Sequence, residues 1–333
     1  MDEQFGVAVI GCGARGIAYA NAWNNREDAT VLAVFDPWEE RKLDLAENME
    51  ARPCDSHEEA IQQDGVNVVA VCTPVCYHSE VTVCAAENGC HVISEKPMAL
   101  SLEQADAMID ACKDNDVLLA MGLQRRADYR NKKYKELFED GTFGSPMFFR
   151  FQDMRSIRPK IAMHRKSRNN GPVVDMLCHF MDQARFVTGE EALNVRCTGY
   201  CYAEDKPPVN EVPDPAIDAA AVQVEMTGGH VVQVFLNWGM ALGFPGFAGE
   251  LLVGPEIAAQ PAQNGIEVNF SDHAETWRDP GDSLRGAHAC VDWLAKGIKG
   301  EQELVCTGED GRAALKVSLA ALESIESGKT VEI

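Results

Sequence analysis

Apolar residues follow two rhythms along this chain, and the rhythm changes near residue 124. In the first part, short continuous apolar runs alternate with stretches whose apolar positions recur every three to four residues. Val7 to Ile10, the ATVLAVF run before Asp36, Val66 to Pro74 and the HVIS run before Glu95 read as strands buried on both faces, as in a parallel sheet. Ile17, Ala18, Ala20 and Ala22 pattern a helix after the first run. Ser56 to Gln63 reads as a helix with Glu59 completing a capping box, Leu102 to Lys113 as an amphipathic helix, and Val117 to Gln124 as a sixth strand. Strand and helix alternating in this way predict a doubly wound α/β sheet.

A charged helix over Ala127 to Glu139 follows, and from Pro146 the strands succeed one another without helices between them: PMFFRFQDM, LNVRCTGYCY, AIDAAAVQVEM and VVQVFLNWG. The last two flank Thr227-Gly228-Gly229-His230 and read as a β-hairpin. The second part is therefore expected to be α+β, with a mostly antiparallel open sheet carrying helices on one face. Inserted in it, Asn169 to Gly189 reads as a helix with Pro172 in its first turn. Asp175, His179 and Asp182 recur on one face at i, i+4 and i+7, while Met176, Phe180 and Phe186 hold the helix in a core. The expected domains are residues 1–123 and 124–333. A sheet face left open predicts a homodimer or homotetramer that covers it.

Composition narrows the class. A chain of 333 residues exceeds what one core usually serves, which agrees with two domains. The formal net charge of −22 repels nucleic acid and anionic membranes, so neither is an expected partner. The 12 cysteines lie mostly inside apolar segments, and no paired CxxC spacing is present, so reduced core thiols are expected and no metal site. Without a signal-like start or an apolar run of about 18 residues, a cytoplasmic location is expected.

The chemistry begins at the first strand's end. Gly11, Gly13 and Gly16 fit GxGxxG, making the turn through Ala14 and Arg15 a cradle for a dinucleotide pyrophosphate. Asp36 ends the second strand 20 residues after Gly16, where a carboxylate accepts from ribose hydroxyls and repels a 2′-phosphate. NAD is thus expected in preference to NADP; Trp38 and Arg41 read equally as residues flanking the adenine or as an exposed first helical turn. Lys96 follows a buried strand, held between Glu95 and Pro97, and is the first catalytic candidate because open α/β sheets bind ligands at that edge.

Taken together, the glycine loop, Thr73-Pro74 with His78 beyond it, Glu95-Lys96-Pro97, and Gly171, Asp175 and His179 in a Gly-x-x-x-Asp-x-x-x-His pattern resemble the Gfo/Idh/MocA oxidoreductase family over nearly the whole chain. The resemblance implies a Rossmann domain that binds NAD(P), an α+β substrate and oligomerisation domain, and hydride transfer to or from a secondary hydroxyl or keto group of a sugar, cyclitol or glycoside. It implies a catalytic group of Lys96, Asp175 and His179. It also implies that Thr73, Pro74, His78, Glu95 and Gln124 lie on the cofactor, and that the Lys96-Pro97 bond is often cis in relatives. Two other outcomes are compatible with the same residues: glycoside cleavage by transient oxidation, and an NAD-sensing regulator without turnover.

Two stretches depart from the family. Asn169, Asn170, Gly171 and Pro172 stand where many relatives have a glycine run, and Met163-His164-Arg165 where many have a tryptophan before the arginine. Between Asp153 and Asp175 there is no acidic residue, whereas Arg155, Arg158, Lys160, His164, Arg165, Lys166 and Arg168 all occur. This basic segment reads either as a solvated or subunit-docking loop, or as a site where Arg165 and Arg168 bind an anionic group of the substrate.

Overall fold

The structure, a computed structural model, describes residues 4–281 and 283–333. Contacts divide the chain into two units, Met1–Gln124 with Leu284–Arg312, and Arg125–Ser283 with Ala313–Ile333.

The first unit runs β1 (Phe5–Ile10), α1 (Ala14–Asn24), β2 (Ala29–Phe35), α2 (Glu39–Met49), β3 (Arg52–Pro53), α3 (His57–Ile61), β4 (Val68–Val71), α4 (His78–Glu87), β5 (His91–Ser94), α5 (Leu102–Asp114) and β6 (Leu119–Met121). Its strands pair in parallel in the order β3-β2-β1-β4-β5-β6. β1 is central and every one of its residues is buried, which is why its run is apolar without alternation. The chain order reverses between β1 and β4, and in open sheets ligands bind outside the strand ends at such a point. The capping box of α3 is displaced by one residue: Ser56 accepts from the Glu59 amide, but Glu59 accepts from Asp55 N (2.8 Å) instead of from Ser56.

The expected domain boundary needs correcting at its far end, because residues 284–312 return to the first unit. The helix over residues 286–298 inserts Ala287, Cys290, Val291, Leu294 and Ala295 into the core formed by Phe5, Tyr19, Trp23 and Val31. A break in hydrophobic rhythm marks where strands stop alternating with helices, and it carries no sign of a chain that later returns.

The second unit contains α6 (Tyr129–Glu139), β7 (Phe148–Ser156), α7 (Gly171–Asp175), α8 (Leu177–Thr188), β8 (Ala192–Tyr200), β9 (Ala219–Met226), β10 (Val231–Met240), β11 (Phe247–Val253), β12 (Ala258–Ala262), β13 (Gly265–Asn269) and β14 (Ala274–Arg278). The returning helix is α9 (Gly286–Ile298). The division between units falls within α10 (Gly308–Ser327), and β15 (Val331–Glu332) closes the chain. The nine strands order as β14-β13-β12-β11-β7-β10-β9-β8-β15. All pairs are antiparallel except β7 with β10, which makes the sheet mixed. The hairpin through Gly229 joins β9 and β10 as expected.

One face of this sheet builds a core with Tyr134, Leu137, Val173, Leu177, Phe180, Met181, Val317 and Ala321. The other face stays open. On β9, Val222, Val224 and Met226 are buried while Ala221, Gln223 and Glu225 are exposed, and on β10 Gln233 and Phe235 are exposed between buried neighbours.

The expected single helix over Asn169 to Gly189 is broken at Met176. The His179 amide donates to Met176 O (3.1 Å), three residues back, and Asp175 O accepts from the Cys178 thiol (3.2 Å). Asp175 therefore ends one helix and His179 lies in the first turn of the next. The helix expected from Ala127 likewise starts later, at Tyr129. Among the described residues no helix is long and apolar enough to cross a membrane.

Candidate active site

In the first unit, the turn after β1 is shaped by what its glycines face. A Cβ on Gly11, at φ +97°, would lie 2.6 Å from the Cys72 backbone, and one on Gly16 would lie 1.9 Å from Gly11 O. These two glycines are required by the chain itself. Gly13 differs: its φ of −74° suits any residue, and nothing lies within 4 Å of where its Cβ would be. Gly13 also caps α1, with no side chain bonded to that helix end. Open space before uncapped N–H groups is what a pyrophosphate needs, so these residues fit the dinucleotide that the motif implies.

Asp36 is 8% exposed and braces that turn. Its Oδ2 accepts from Cys12 N at 2.8 Å and its Oδ1 from Trp38 N at 2.9 Å. The carboxylate foreseen as a ribose ligand thus also fixes the glycine loop to the end of β2. Burial, with Asp36 adding to it, pushes the Cys12 thiol up to about 12, so this cysteine is a packed, protonated group. Arg41 lies over the exposed Trp38 ring at 3.8 Å, a cation–π pair. Arg41 also lines a cavity of about 390 Å³ between α1 and α2 with Cys12, Asp44 and Asn48.

Three expected cofactor residues bond to one another. Arg15 Nε donates to Glu95 Oε1 at 2.9 Å, and its Nη2 donates to both Glu95 Oε1 and Gln124 Oε1. Burial disfavours the Arg15 charge, yet the carboxylate outweighs it and raises the guanidinium above its ordinary range. Beneath lies Tyr19, fully buried 5.4 Å from the guanidinium, its hydroxyl driven far up by burial and by the Glu95 charge. Gly122 leaves room for this group, since a Cβ there would sit 2.8 Å from Tyr19 Oη and 3.0 Å from Glu95 Oε1. Sequence spacing had no means of identifying Tyr19 or Gly122.

His78 is placed differently from the expectation. It is 1% exposed, with Nε2 at 2.9 Å from Thr73 O and Nδ1 at 3.0 Å from Pro97 O. Both ring nitrogens face main-chain carbonyls, and the neutral ring donates its one N–H to one of them, so His78 is a strut between the loops after β4 and β5. Burial lowers its pKa against the pull of the two carbonyls. Thr73 is half-buried and Pro74 exposed at the end of β4. Lys96 follows β5, half-buried between buried Glu95 and buried Pro97, and the Lys96-Pro97 bond is cis.

In the second unit, Asp175 and His179 are each 6% exposed. Asp175 Oδ2 accepts from Asn169 Nδ2 at 2.7 Å, a contact that no spacing rule would find. Asp182, on the same sequence stripe, is held by Arg126, whose Nη2 donates at 2.5 Å. Two arginines of the basic segment pair with carboxylates of the same unit. Arg155 forms a forked pair with Asp153 (2.6 and 2.8 Å), and the Arg158 guanidinium lies 5.7 Å over the Trp238 ring. Arg165 Nε donates to Asp214 Oδ1 at 2.9 Å. Asp214, 49 residues from Arg165, also accepts from Ser167 N; Ser167, through its side chain first and then its amide, and Arg165 with it, holds the carboxyl down to about 2. The Arg165 guanidinium thus has an intramolecular partner in Asp214. Arg168 is half-buried beside it.

Known proteins agree with this construction. Residues 5–123 match the oxidoreductase family described as having an NAD-binding Rossmann fold, and residues 131–252 match the GFO/IDH/MocA C-terminal domain. Myo-inositol 2-dehydrogenase of Thermotoga maritima is 28% identical over 98% of this chain and 98% of its own. D-glucoside 3-dehydrogenase of Escherichia coli is 29% identical over 56% of this chain and 55% of its own. The crystal structure of aldose-aldose oxidoreductase from Caulobacter crescentus, complexed with glycerol, superposes with a TM-score of 0.86 at 21% identity, covering 99% of this chain and 100% of the other. With both halves matched, the chain belongs to the Gfo/Idh/MocA family of oxidoreductases, its first unit carrying the family's NAD-binding Rossmann fold.

Proposed function

We propose that this protein is an NAD-dependent dehydrogenase of a secondary hydroxyl on a sugar or cyclitol. The observation that carries the reading is the glycine turn with its open side at Gly13, followed in the same chain by Lys96, Asp175 and His179. The near full-length likeness to myo-inositol 2-dehydrogenase supports the substrate class.

The dinucleotide, when bound, supplies a two-electron acceptor for the carbinol hydride. The α1 N-terminus and the amides after Gly11 hold its phosphates, and Asp36 favours a free 2′-hydroxyl over a 2′-phosphate. His179 takes the proton from the substrate hydroxyl as general base. Lys96 hydrogen-bonds the same oxygen and eases the proton's departure, and Asp175 orients the sugar. Gln124 and Glu95 hold Arg15 in the cofactor loop. Arg165 and Arg168 are the candidates for an anionic group on the substrate.

The open face of β7, β10 and β9, with Phe148 and Phe235 exposed on it, takes a second copy of the chain, giving a dimer or tetramer. The test is a panel of polyols, aldoses, uronates and glycosides with NAD or NADP, following NADH and product sugars. Accumulating NADH or NADPH, faster with NAD, supports the reading. Sugar cleavage without net NADH identifies an enzyme that recycles its cofactor, and cofactor binding without turnover on any member identifies a sensor.

A further inference from the structure

Residues 163–170 form a small framework with one product: an amide aimed at Asp175. Asp214 anchors it from outside, accepting from Arg165 Nε at 2.9 Å and from Ser167 N at 2.8 Å, while Asp214 O accepts from Lys166 N at 2.9 Å. His164 O accepts from Ala216 N at 2.8 Å, closing the segment onto the same strand of chain. Arg165 O in turn accepts from Asn169 N at 3.1 Å and from Asn170 N at 2.9 Å. The chain then turns sharply through Asn170 (φ 59°) and Gly171 (φ 68°), where a Cβ on Gly171 would lie 2.5 Å from Ile217 O. This turn leaves Asn169 Nδ2 at 2.7 Å from Asp175 Oδ2. A carboxylate oxygen accepts, so it is the NH₂ end of Asn169 that faces it.

We propose that Asn169 is a positioning residue for Asp175, and that the Arg165–Asp214 pair is the clamp that delivers it. The basic segment then serves the site by geometry instead of by charge. A glycine at position 169 would have no side chain to make this bond, so the orientation of Asp175, and with it the substrate hydroxyls accepted, depends here on the Asn169 amide. The proposal rests on the role of Asp175 given under Proposed function.

Two measurements on the full chain test it. In ¹⁵N NMR, the Asn169 side-chain amide of the wild type is expected to have one proton moved downfield, and Asp175→Ala is expected to remove that displacement; an amide unaffected by Asp175→Ala overturns the proposal whether or not a substrate is known. In kinetics with myo-inositol and D-glucose as probes, Asn169→Leu keeps the size and loses the donor without adding a charge beside Asp175. Its kcat is expected to fall about tenfold, with NADH affinity unchanged and with partial recovery in Asn169→Gln. If Asn169→Leu keeps wild-type kcat and KM while Asp175→Asn is impaired, Asn169 has no positioning role. If Asp175→Asn is itself unimpaired on a sugar that the wild type oxidises, the role of Asp175 is wrong, and the proposal falls with it.

Discussion

Arg15 Nε donates to Glu95 Oε1 at 2.9 Å, joining the turn after β1 to the loop after β5 across 80 residues of chain. The bond is built from two motifs that were expected to touch the cofactor separately. Glu95 is nearly enclosed, with its side chain 6% exposed, whereas Arg15 is 37% exposed and its charge is partly screened. Replacing Glu95 with Gln is expected to cost about 1–2 kcal/mol of stability, the order of one hydrogen bond to a charged group, and to weaken NADH binding because the Arg15 turn loses its tether. Denaturant unfolding and fluorescence titration read the two effects. Wild-type values in both would show that the pair does not order the loop.

The glycines of the cradle separate folding from binding. Gly16→Ala places a methyl 1.9 Å from Gly11 O and is expected to lower the melting temperature by several degrees, since backbone must move. Gly13→Ala meets no protein atom within 4 Å and is expected to melt like the wild type while binding NADH at least tenfold more weakly. Equal cofactor affinity in Gly13→Ala and wild type would place the pyrophosphate elsewhere.

Acid stability should fall in two steps. Burial lowers the pKa of His78, and burial together with the Arg158 charge lowers that of His164. Both histidines take up protons more readily unfolded, so stability falls as pH drops below the unfolded value of about 6.5. Asp28, held to about 2 first by Arg26 and also by Lys299, and Asp214, held to about 2, contribute stability above the unfolded aspartate value of about 4. That contribution is lost as pH falls through about 2. Unfolding free energies measured from pH 8 to 2 should show a first decline near pH 6 that is reduced in His78→Gln, and a second below pH 4 that is reduced in Asp28→Asn. A profile unchanged by either substitution would contradict these assignments.

What the sequence made legible was whatever depends on local pattern. The all-buried run of β1, the glycine spacing and the Gly-Gly hairpin each follow from periodicity or backbone freedom within a few residues, and the structure has them where expected. The return of residues 284–312 to the first unit was hidden because α9 looks like any amphipathic helix, and its destination depends on a core assembled over 250 residues earlier. The setting of His78 was hidden for a related reason: a histidine wedged between two main-chain carbonyls and one that touches a ligand have the same spacing in a motif. The pairing of Arg165 was not legible either, because its partner, Asp214, lies 49 residues away in a loop.

The open sheet face gives a prediction about assembly. Phe148 is 52% exposed and Phe235 39%, on β7 and β10, which are neighbours in the sheet. Phe235→Asp is expected to shift the sedimentation coefficient toward that of a 36.4 kDa monomer without loss of helix or strand signal. If the wild type already sediments as a monomer, that face serves another purpose.

The central claim is that hydride transfer to NAD depends on Lys96 and His179. It is tested most directly by NADH formation at 340 nm across the carbohydrate panel, with wild type, Lys96→Ala and His179→Ala side by side. The account predicts net NADH from at least one sugar or cyclitol with the wild type. It also predicts a loss of at least 100-fold in kcat for each variant, the order expected for removing a general base or the group that assists it. Turnover in Lys96→Ala and His179→Ala equal to that of the wild type on every sugar oxidised would contradict it.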